Sequence, residues 1–115
     1  MSAIAGVSDE WHGEVPVARV TGEVDASNVT EVGARLRTLL TNRSTTLVID
    51  LSPTTYLDSA GINLLFAVGE ELRTHQQTLD LVVADGSPIA RMLAITSLDR
   101  AYRTHASLAA AIPGD

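Results

Sequence analysis

The sequence contains no cysteine and no lysine. Without cysteine there is no disulfide framework, no thiolate zinc site and no cysteine nucleophile, which suits a reducing cytoplasm. Without lysine, the chain cannot form a Walker phosphate-binding loop, a lysine Schiff base or a Ser–Lys catalytic dyad. All eight basic residues are therefore arginine. These two absences exclude several enzyme classes before any motif is considered.

The chain also has little positive charge and no long apolar run. Its 115 residues carry a formal net charge of −6, so nucleic acids and anionic membrane surfaces are poor partners. The longest apolar stretch, residues 61–69, is far below the roughly 20 residues that span a bilayer. The N-terminal sequence MSAIAGVSDEW lacks the basic and apolar regions of a signal peptide. We expect one cytoplasmic domain over residues 1–115, with no nucleic-acid or membrane partner.

Residues that carry catalysis or bind metals are sparse and poorly spaced. The eight glycines are never closer than seven residues apart, which excludes a dinucleotide fingerprint. His12, His75 and His105 are far apart in sequence and show no metal-ligand spacing. Around Ser59 the G-x-S-x-G elbow is missing, because Leu57 stands where its first glycine should be. We expect no catalytic residue, no metal site and no cofactor.

Hydrophobic periodicity predicts strands that alternate with helices. The predicted strands are residues 15–20, 46–51 and 79–84, with weaker candidates at 3–9 and 101–104. The predicted helices are residues 26–43, 59–75, 88–96 and 106–112. Asp25 or Ser27 is the predicted N-cap of the first helix. This alternation implies an α/β fold with a four- to five-stranded mixed sheet and about four helices.

One junction between a predicted strand region and a predicted helix stands out. Asp58, Ser59, Ala60 and Gly61 lie where such folds collect functional groups, at a helix start. Ser59 either caps the helix or presents its hydroxyl to another protein for modification, and both roles are compatible.

Three aspartates are predicted to cluster near this junction. They are Asp25, Asp50 and Asp58, which stand at predicted strand ends and helix starts. For Asp25 and Asp50, helix capping and solvation of strand ends are a better explanation than a functional role.

The helix predicted over residues 59–75 is apolar on more than one side. One side carries Ile62, Leu65, Phe66, Gly69 and Leu72, and the other carries Ala60, Leu64, Ala67 and Val68. A helix that is apolar all round is either deeply buried or presents its second face to a partner. The sequence leaves both alternatives open.

Four stretches in chain order resemble the STAS domain and, within it, the anti-sigma factor antagonists of bacteria. They are residues 21–25 (TGEVD), 47–52 with 56–62 (LVIDLS and YLDSAGI), 90–99 (ARMLAITSLD), and Tyr102 with 106–111 (ASLAAA). The resemblance implies a STAS-like fold. It also implies a protein that binds an anti-sigma factor, itself a serine kinase, and thereby frees a sigma factor. The kinase would phosphorylate Ser59 and be released, and a serine phosphatase would restore the antagonist.

From the resemblance and the junction together we predict a partner-binding set. Its members surround the first turns of the predicted helix: Asp25, Asp58, Ser59, Ala60, Gly61, Asn63, Leu64, Ala67 and Val68. The alternative is a STAS scaffold without a phospho-switch, such as an accessory subunit of a transport ATPase or of a stress-signalling complex. A third class, a small enzyme or nucleotide-binding protein using Asp58 and Ser59, has no phosphate cradle to support it. Whether the chain forms a homodimer is left open.

Overall fold

The computed structural model describes residues 5–41 and 44–112, in which six strands and five helices follow one another. The strands are β1 (Ala5–His12), β2 (Val15–Val24), β3 (Thr46–Asp50), β4 (Thr54–Leu57), β5 (Thr78–Val82) and β6 (Arg103–His105). The helices are α1 (Val29–Arg37), α2 (Ser59–Thr74), α3 (Pro88–Ile95), α4 (Leu98–Ala101) and α5 (Leu108–Ala111). The predicted α/β fold with a mixed sheet is confirmed.

All six strands belong to one sheet, in which five follow the order β1-β2-β3-β5-β6 and β4 pairs with β2 outside this order. β1 and β2 form an antiparallel hairpin whose tight turn contains Gly13 at φ +65°. The other strand pairs are parallel. β2 is long enough to pair with two successive strands, β3 along residues 17–19 and β4 along residues 22–24. The second of these partners leads directly into α2.

Both faces of the central strands are buried. In β3, Leu47 and Ile49 point into the main core, which the sheet forms with α1 to α4. Val48 points to the other face, where it joins a smaller cluster beneath α5. Full burial of such a side chain contributes about 1.5–3 kcal/mol. This explains why residues 46–51 read as a continuous apolar run rather than an alternating one.

The start of α1 differs from the prediction. The N-cap position is held by Asn28 and not by Asp25 or Ser27. Asp25 instead closes a turn, since its Oδ1 accepts the backbone N–H of Ser27 at 2.9 Å and the Ser27 hydroxyl at 2.5 Å. The Asn28 amide donates to the carbonyl of Glu23 at 2.9 Å, which ties this turn back to β2. The predicted cap is therefore wrong because the Asp25 carboxylate is engaged within the turn.

Two elements were not predicted, β4 and the short α4. β4 follows the Ser52-Pro53 turn and shows no period of two, because its pairing with β2 is interrupted by a bulge between Gly22 and Glu23. Gly22 has φ +83°, a conformation that favours glycine. Parts of two predicted elements, residues 3–4 and 42–43, lie outside the described residues.

Candidate functional site

β2 and β4 end side by side, and each is followed by an aspartate. Val24 is the register partner of Leu57, so Asp25 and Asp58 follow directly after paired strand ends. The backbone N–H of Ala26 donates to Oδ2 of Asp58 at 3.2 Å. The hydroxyl of the neighbouring Ser27 lowers the pKa of Asp25 by hydrogen bonding to its carboxylate. The structure thus places two carboxylate side chains at the start of α2.

Asp50 does not belong to this group, and its predicted clustering with Asp58 is corrected. It is buried at the end of β3, on the sheet face that carries Val48. Its Oδ2 accepts a hydrogen bond from Nε of Arg19 at 3.2 Å, and its Oδ1 accepts the backbone N–H of Ser52 at 2.9 Å. The bond to Asp50 raises the pKa of Arg19. Asp50 therefore has a structural role in a partly buried ion pair.

Asp58, and not Ser59, caps α2. Oδ1 of Asp58 accepts the backbone N–H of Gly61 at 3.0 Å, and Ser59 is the first helical residue. A cap of this kind typically stabilises a protein by about 1 kcal/mol. The hypothesis that Ser59 serves as the helix cap is therefore wrong. The same carboxylate also holds the Ala26 N–H, so one side chain fixes both loops beside Ser59.

The Ser59 side chain is exposed at the first turn of α2. Within the described ranges 5–41 and 44–112, its hydroxyl has no hydrogen-bond partner. The three histidines lie elsewhere: His12 and His105 border a cleft at the amino ends of the parallel strands, and His75 follows the last turn of α2. Ser59 is thus an accessible hydroxyl without a histidine to activate it.

Three members of the predicted partner-binding set are not available to a partner. Leu64 and Val68 are only 8% and 0% exposed, because α1 covers this side of α2. The two helices approach closely where a Cβ added to Gly33 would lie 2.9 Å from Cδ1 of Leu64. The large side chains of the second apolar face of α2 are therefore covered by this chain itself, while Ala67 stays exposed and Ala60 half-buried.

Gly61 is the third buried member. A Cβ added at Gly61 would lie 3.0 Å from Cδ2 of Leu57 and 3.2 Å from the carbonyl oxygen of Val24. Its small size serves the close approach of α2 to β2. The corrected accessible set consists of exposed Ser59, Asn63 and Ala67 with half-buried Asp25, Asp58 and Ala60.

An open groove runs from Ser59 between α2 and α3. Its lining comes from β4, α2 and α3, and comprises Tyr56, Leu57, Asp58, Ser59, Ile62, Asn63, Met92 and Thr96. Five of these residues are not in the predicted partner-binding set: Tyr56, Leu57, Ile62, Met92 and Thr96. The sequence gives no sign that α3 borders the start of α2, because this contact depends on β4, which packs against α3. Asp58 is the one ionisable carboxylate in the lining.

A second cleft, of about 770 Å³ against about 610 Å³ for the groove, lies at the opposite end of the sheet. It contains the starts of β2, β3, β5 and β6 and none of the predicted site residues. Its buried Asp80 is already paired with Arg103, whose Nε lies 2.9 Å from the carboxylate. Size alone therefore does not identify this cleft as the functional site.

In the described part of the chain, no group of three or more histidine or acidic side chains is arranged to hold a metal ion. No helix formed by residues 5–41 and 44–112 has the length and apolar character needed to cross a membrane.

The family model described as "Mlab, STAS domain" matches residues 7–109. The chain belongs to the STAS domain family. This STAS domain is 31% identical over 103 residues to the anti-sigma-F factor antagonist RsfB of Mycobacterium tuberculosis. The match covers 90% of this chain and 83% of RsfB. The resemblance seen in the sequence is confirmed.

Solved structures agree with this assignment. The crystal structure of an anti-sigma factor antagonist from Mycobacterium paratuberculosis is similar at a TM-score of 0.80 and 26% identity. That similarity covers 90% of this chain and 87% of the other. The phosphorylated form of the Bacillus cell fate determinant SpoIIAA has the same fold, with a TM-score of 0.64, 22% identity and coverages of 87% and 91%.

Proposed function

We propose that this STAS domain is an anti-sigma factor antagonist whose binding partner is an anti-sigma factor of the serine-kinase class. It frees a sigma factor by binding that kinase, and it is switched off when the kinase phosphorylates Ser59. The observation that carries the proposal is the exposed, unbonded Ser59 hydroxyl at the start of α2. The similarity to RsfB and to the Mycobacterium paratuberculosis antagonist supports it.

The chemistry needs no catalytic group from this chain. The Ser59 oxygen attacks the γ-phosphorus of ATP held by the kinase, and the bond between the γ-phosphorus and ADP breaks. The hydroxyl proton passes to a base of the kinase, and Mg²⁺ neutralises the phosphates. A serine phosphatase then hydrolyses the phosphate ester and restores the hydroxyl.

Phosphorylation is expected to loosen the complex without unfolding the antagonist. The phosphate adds about −1.5 to −2 charge. At the start of α2 the helix dipole stabilises it by about 0.3–1 kcal/mol, while Asp58 opposes this gain. Within an interface, disruption of a buried polar contact costs about 2–5 kcal/mol, which is roughly a 30- to several-thousand-fold loss of affinity. The larger effect therefore falls on the complex.

The test is to incubate the chain with Mg²⁺, ATP and candidate anti-sigma factors of its own organism, and to locate the phosphate by mass spectrometry. Phosphate on Ser59 is the expected result. Ser59→Ala should bind the same kinase and resist ATP-dependent release. Ser59→Asp should bind poorly while its melting temperature stays near that of the unsubstituted chain.

Ser107→Asp is the matched control for charge. Ser107 is an exposed serine that caps α5, on the other face of the sheet, and aspartate caps a helix as well as serine does. It should bind the kinase normally. If Ser59→Asp also binds normally, the scaffold alternative replaces the phospho-switch. Unfolding of Ser59→Asp would contradict a switch that acts by blocking contact.

A further inference from the structure

The groove at Ser59 is bordered by large apolar side chains that the described part of the chain leaves exposed or half-buried. Among residues 5–41 and 44–112, three large hydrophobic side chains are exposed: Trp11 at 46%, Tyr56 at 47% and Ile95 at 73%. Tyr56 lines the groove, together with half-buried Met92. Ile95 stands three positions after Met92, which makes the two side chains neighbours on the surface of α3, and Ile95 extends this surface beyond the groove lining. We call Tyr56, Met92 and Ile95 the apolar rim.

The apolar rim and the acidic turn flank Ser59 on different elements. The acidic turn carries Asp25 and Asp58, beside the end of β2. The rim lies on β4 and α3, and Asp58 is the only charged residue in the groove lining. The acidic turn offers a partner polar and charged contacts, whereas the rim offers it apolar burial.

A kinase that reaches the Ser59 hydroxyl must stand over the start of α2. A specific interface buries about 800 Å² on each partner, far more than one hydroxyl and the polar neighbour Asn63 provide. Contact therefore has to spread from Ser59 onto the adjoining surface. The sides of α2 that carry Leu64 and Val68 are already covered by α1. Among the described residues, the apolar rim provides large exposed hydrophobic side chains on this adjoining surface.

We infer that the apolar rim, with Ile95 as its most exposed member, is the anchor for an apolar patch that borders the nucleotide site of the anti-sigma kinase. The inference rests on the proposed function, and it assigns the binding energy to residues outside the phosphorylation motif. The rim touches neither the Ser59 hydroxyl nor the transferred phosphate. It contributes equally to the ground state and the transition state, and therefore acts on KM rather than on kcat.

The test measures phosphorylation of Ser59 by steady-state kinetics, with the kinase that phosphorylates the unsubstituted chain. Ile95→Asp should raise KM for the antagonist by about 30-fold or more, as expected when a buried anchor is lost, and leave kcat within a factor of two. Ile95→Leu should restore KM. Because Ile95 is largely exposed, the melting temperature should not change. Should Ile95→Asp prove unstable, Tyr56→Gln provides the same measurement from β4.

Trp11→Asp is the matched control, since it adds the same charge at another exposed hydrophobic residue. Trp11 pairs with Pro16 of β2, whereas Leu57 before the Ser59 site pairs with Val24, eight residues or about 26 Å further along the strand. Trp11→Asp should keep the unsubstituted KM.

The outcomes separate the two proposals. If no candidate kinase phosphorylates Ser59, the proposed function fails and this inference fails with it. If Ser59 is phosphorylated but Ile95→Asp has the unsubstituted KM, the phospho-switch stands and the anchor is refuted. A fall in kcat with KM unchanged also refutes it, because the substitution would then act on the geometry of Ser59.

Discussion

The backbone N–H of Ala26 donates to the carboxylate of Asp58, and this 3.2 Å contact joins two loops that are 32 residues apart in the sequence. The other oxygen of the same carboxylate caps α2 through the N–H of Gly61. Asp58 thus fixes the position of Ser59 from both sides. Because the cap belongs to Asp58, the Ser59 hydroxyl takes no part in holding the helix start, and we expect modification of Ser59 to leave the local structure in place.

Replacement of Asp58 is expected to loosen the site and lower stability. Asp58→Ala removes the α2 cap and leaves the Ala26 N–H without its acceptor, for a loss of about 1–2 kcal/mol in the free energy of unfolding. Asp58→Asn keeps one acceptor oxygen and should retain most of the cap. Urea unfolding of the three proteins measures the difference. Equal stability of Asp58→Ala and the unsubstituted chain would contradict the assignment of the cap.

Gly69 is expected to resist substitution by alanine. A Cβ at this position of α2 would overlap the ring of Tyr102 far inside van der Waals contact. In an open helix, alanine is about 1 kcal/mol better than glycine, but the overlap here should reverse the sign and destabilise the fold by about 1–3 kcal/mol.

The double variant Gly69→Ala with Tyr102→Ala provides the control, because it removes the ring that Cβ would meet. It should be more stable than the sum of the two single changes predicts. Additive effects in thermal unfolding would show that the ring is not the obstacle.

The stability of the fold is expected to decrease at alkaline pH because of Tyr102. Burial, together with the hydrogen bond from its hydroxyl to Glu70 at 2.9 Å, raises the pKa of Tyr102 to about 12. The folded state therefore favours the neutral phenol. The stabilisation is fully present below the unfolded pKa of about 10 and is lost as the pH rises towards 12.

Melting temperatures between pH 8 and 12 test this expectation. The unsubstituted chain should lose more stability across that range than Tyr102→Phe, which has no phenol to ionise at position 102. At pH 8, Tyr102→Phe should be less stable by about 0.5–1.5 kcal/mol, since the bond to Glu70 is missing. If the melting temperatures of the two proteins change with pH in the same way, the pKa of Tyr102 is not raised in the folded state.

How much of this site the sequence predicts depends on the range of the interactions involved. Ser59 was identified because strand-to-helix junctions and the DSAG motif are local features. Both Asp58 and Ser59 are residue types that can serve as the N-cap of α2, and only the backbone geometry at the helix start shows that it is Asp58. β4 was not predicted because it lacks the alternation of buried and exposed residues that is typical of a strand. The cause is the bulge between Gly22 and Glu23, which depends on the pairing of β2 with β4 and is not encoded in either segment alone.

The partner-binding set was predicted only in part, because it also depends on contacts between distant elements. Helical periodicity shows that α2 is apolar on two sides, but not that α1 covers one of them. Leu64 and Val68 were therefore assigned to a partner although they belong to the core. Conversely, the sequence does not show that Tyr56 and Met92 line one groove with Ser59, because this arrangement depends on the packing of β4 against α3.

The ion pair between Arg37 and Glu71 joins α1 to α2 on the surface. Arg37 donates three hydrogen bonds to the carboxylate, at 2.7–3.0 Å, and these bonds lower the pKa of Glu71. Both side chains are about 40% exposed, so solvent screening limits the pair to about 0.5–1 kcal/mol despite its bidentate geometry.

A double-mutant cycle of Arg37→Gln and Glu71→Gln should give a coupling energy in that range at neutral pH and low salt. Since the folded pKa of Glu71 is depressed, the coupling is complete above the unfolded pKa of about 4.3 and disappears as the pH falls through the folded value. It should also shrink in 1 M salt, because exposed charges are screened. A coupling above 2 kcal/mol would mean that the pair is more buried than its exposure indicates, and that it contributes substantially to holding α1 over Leu64 and Val68.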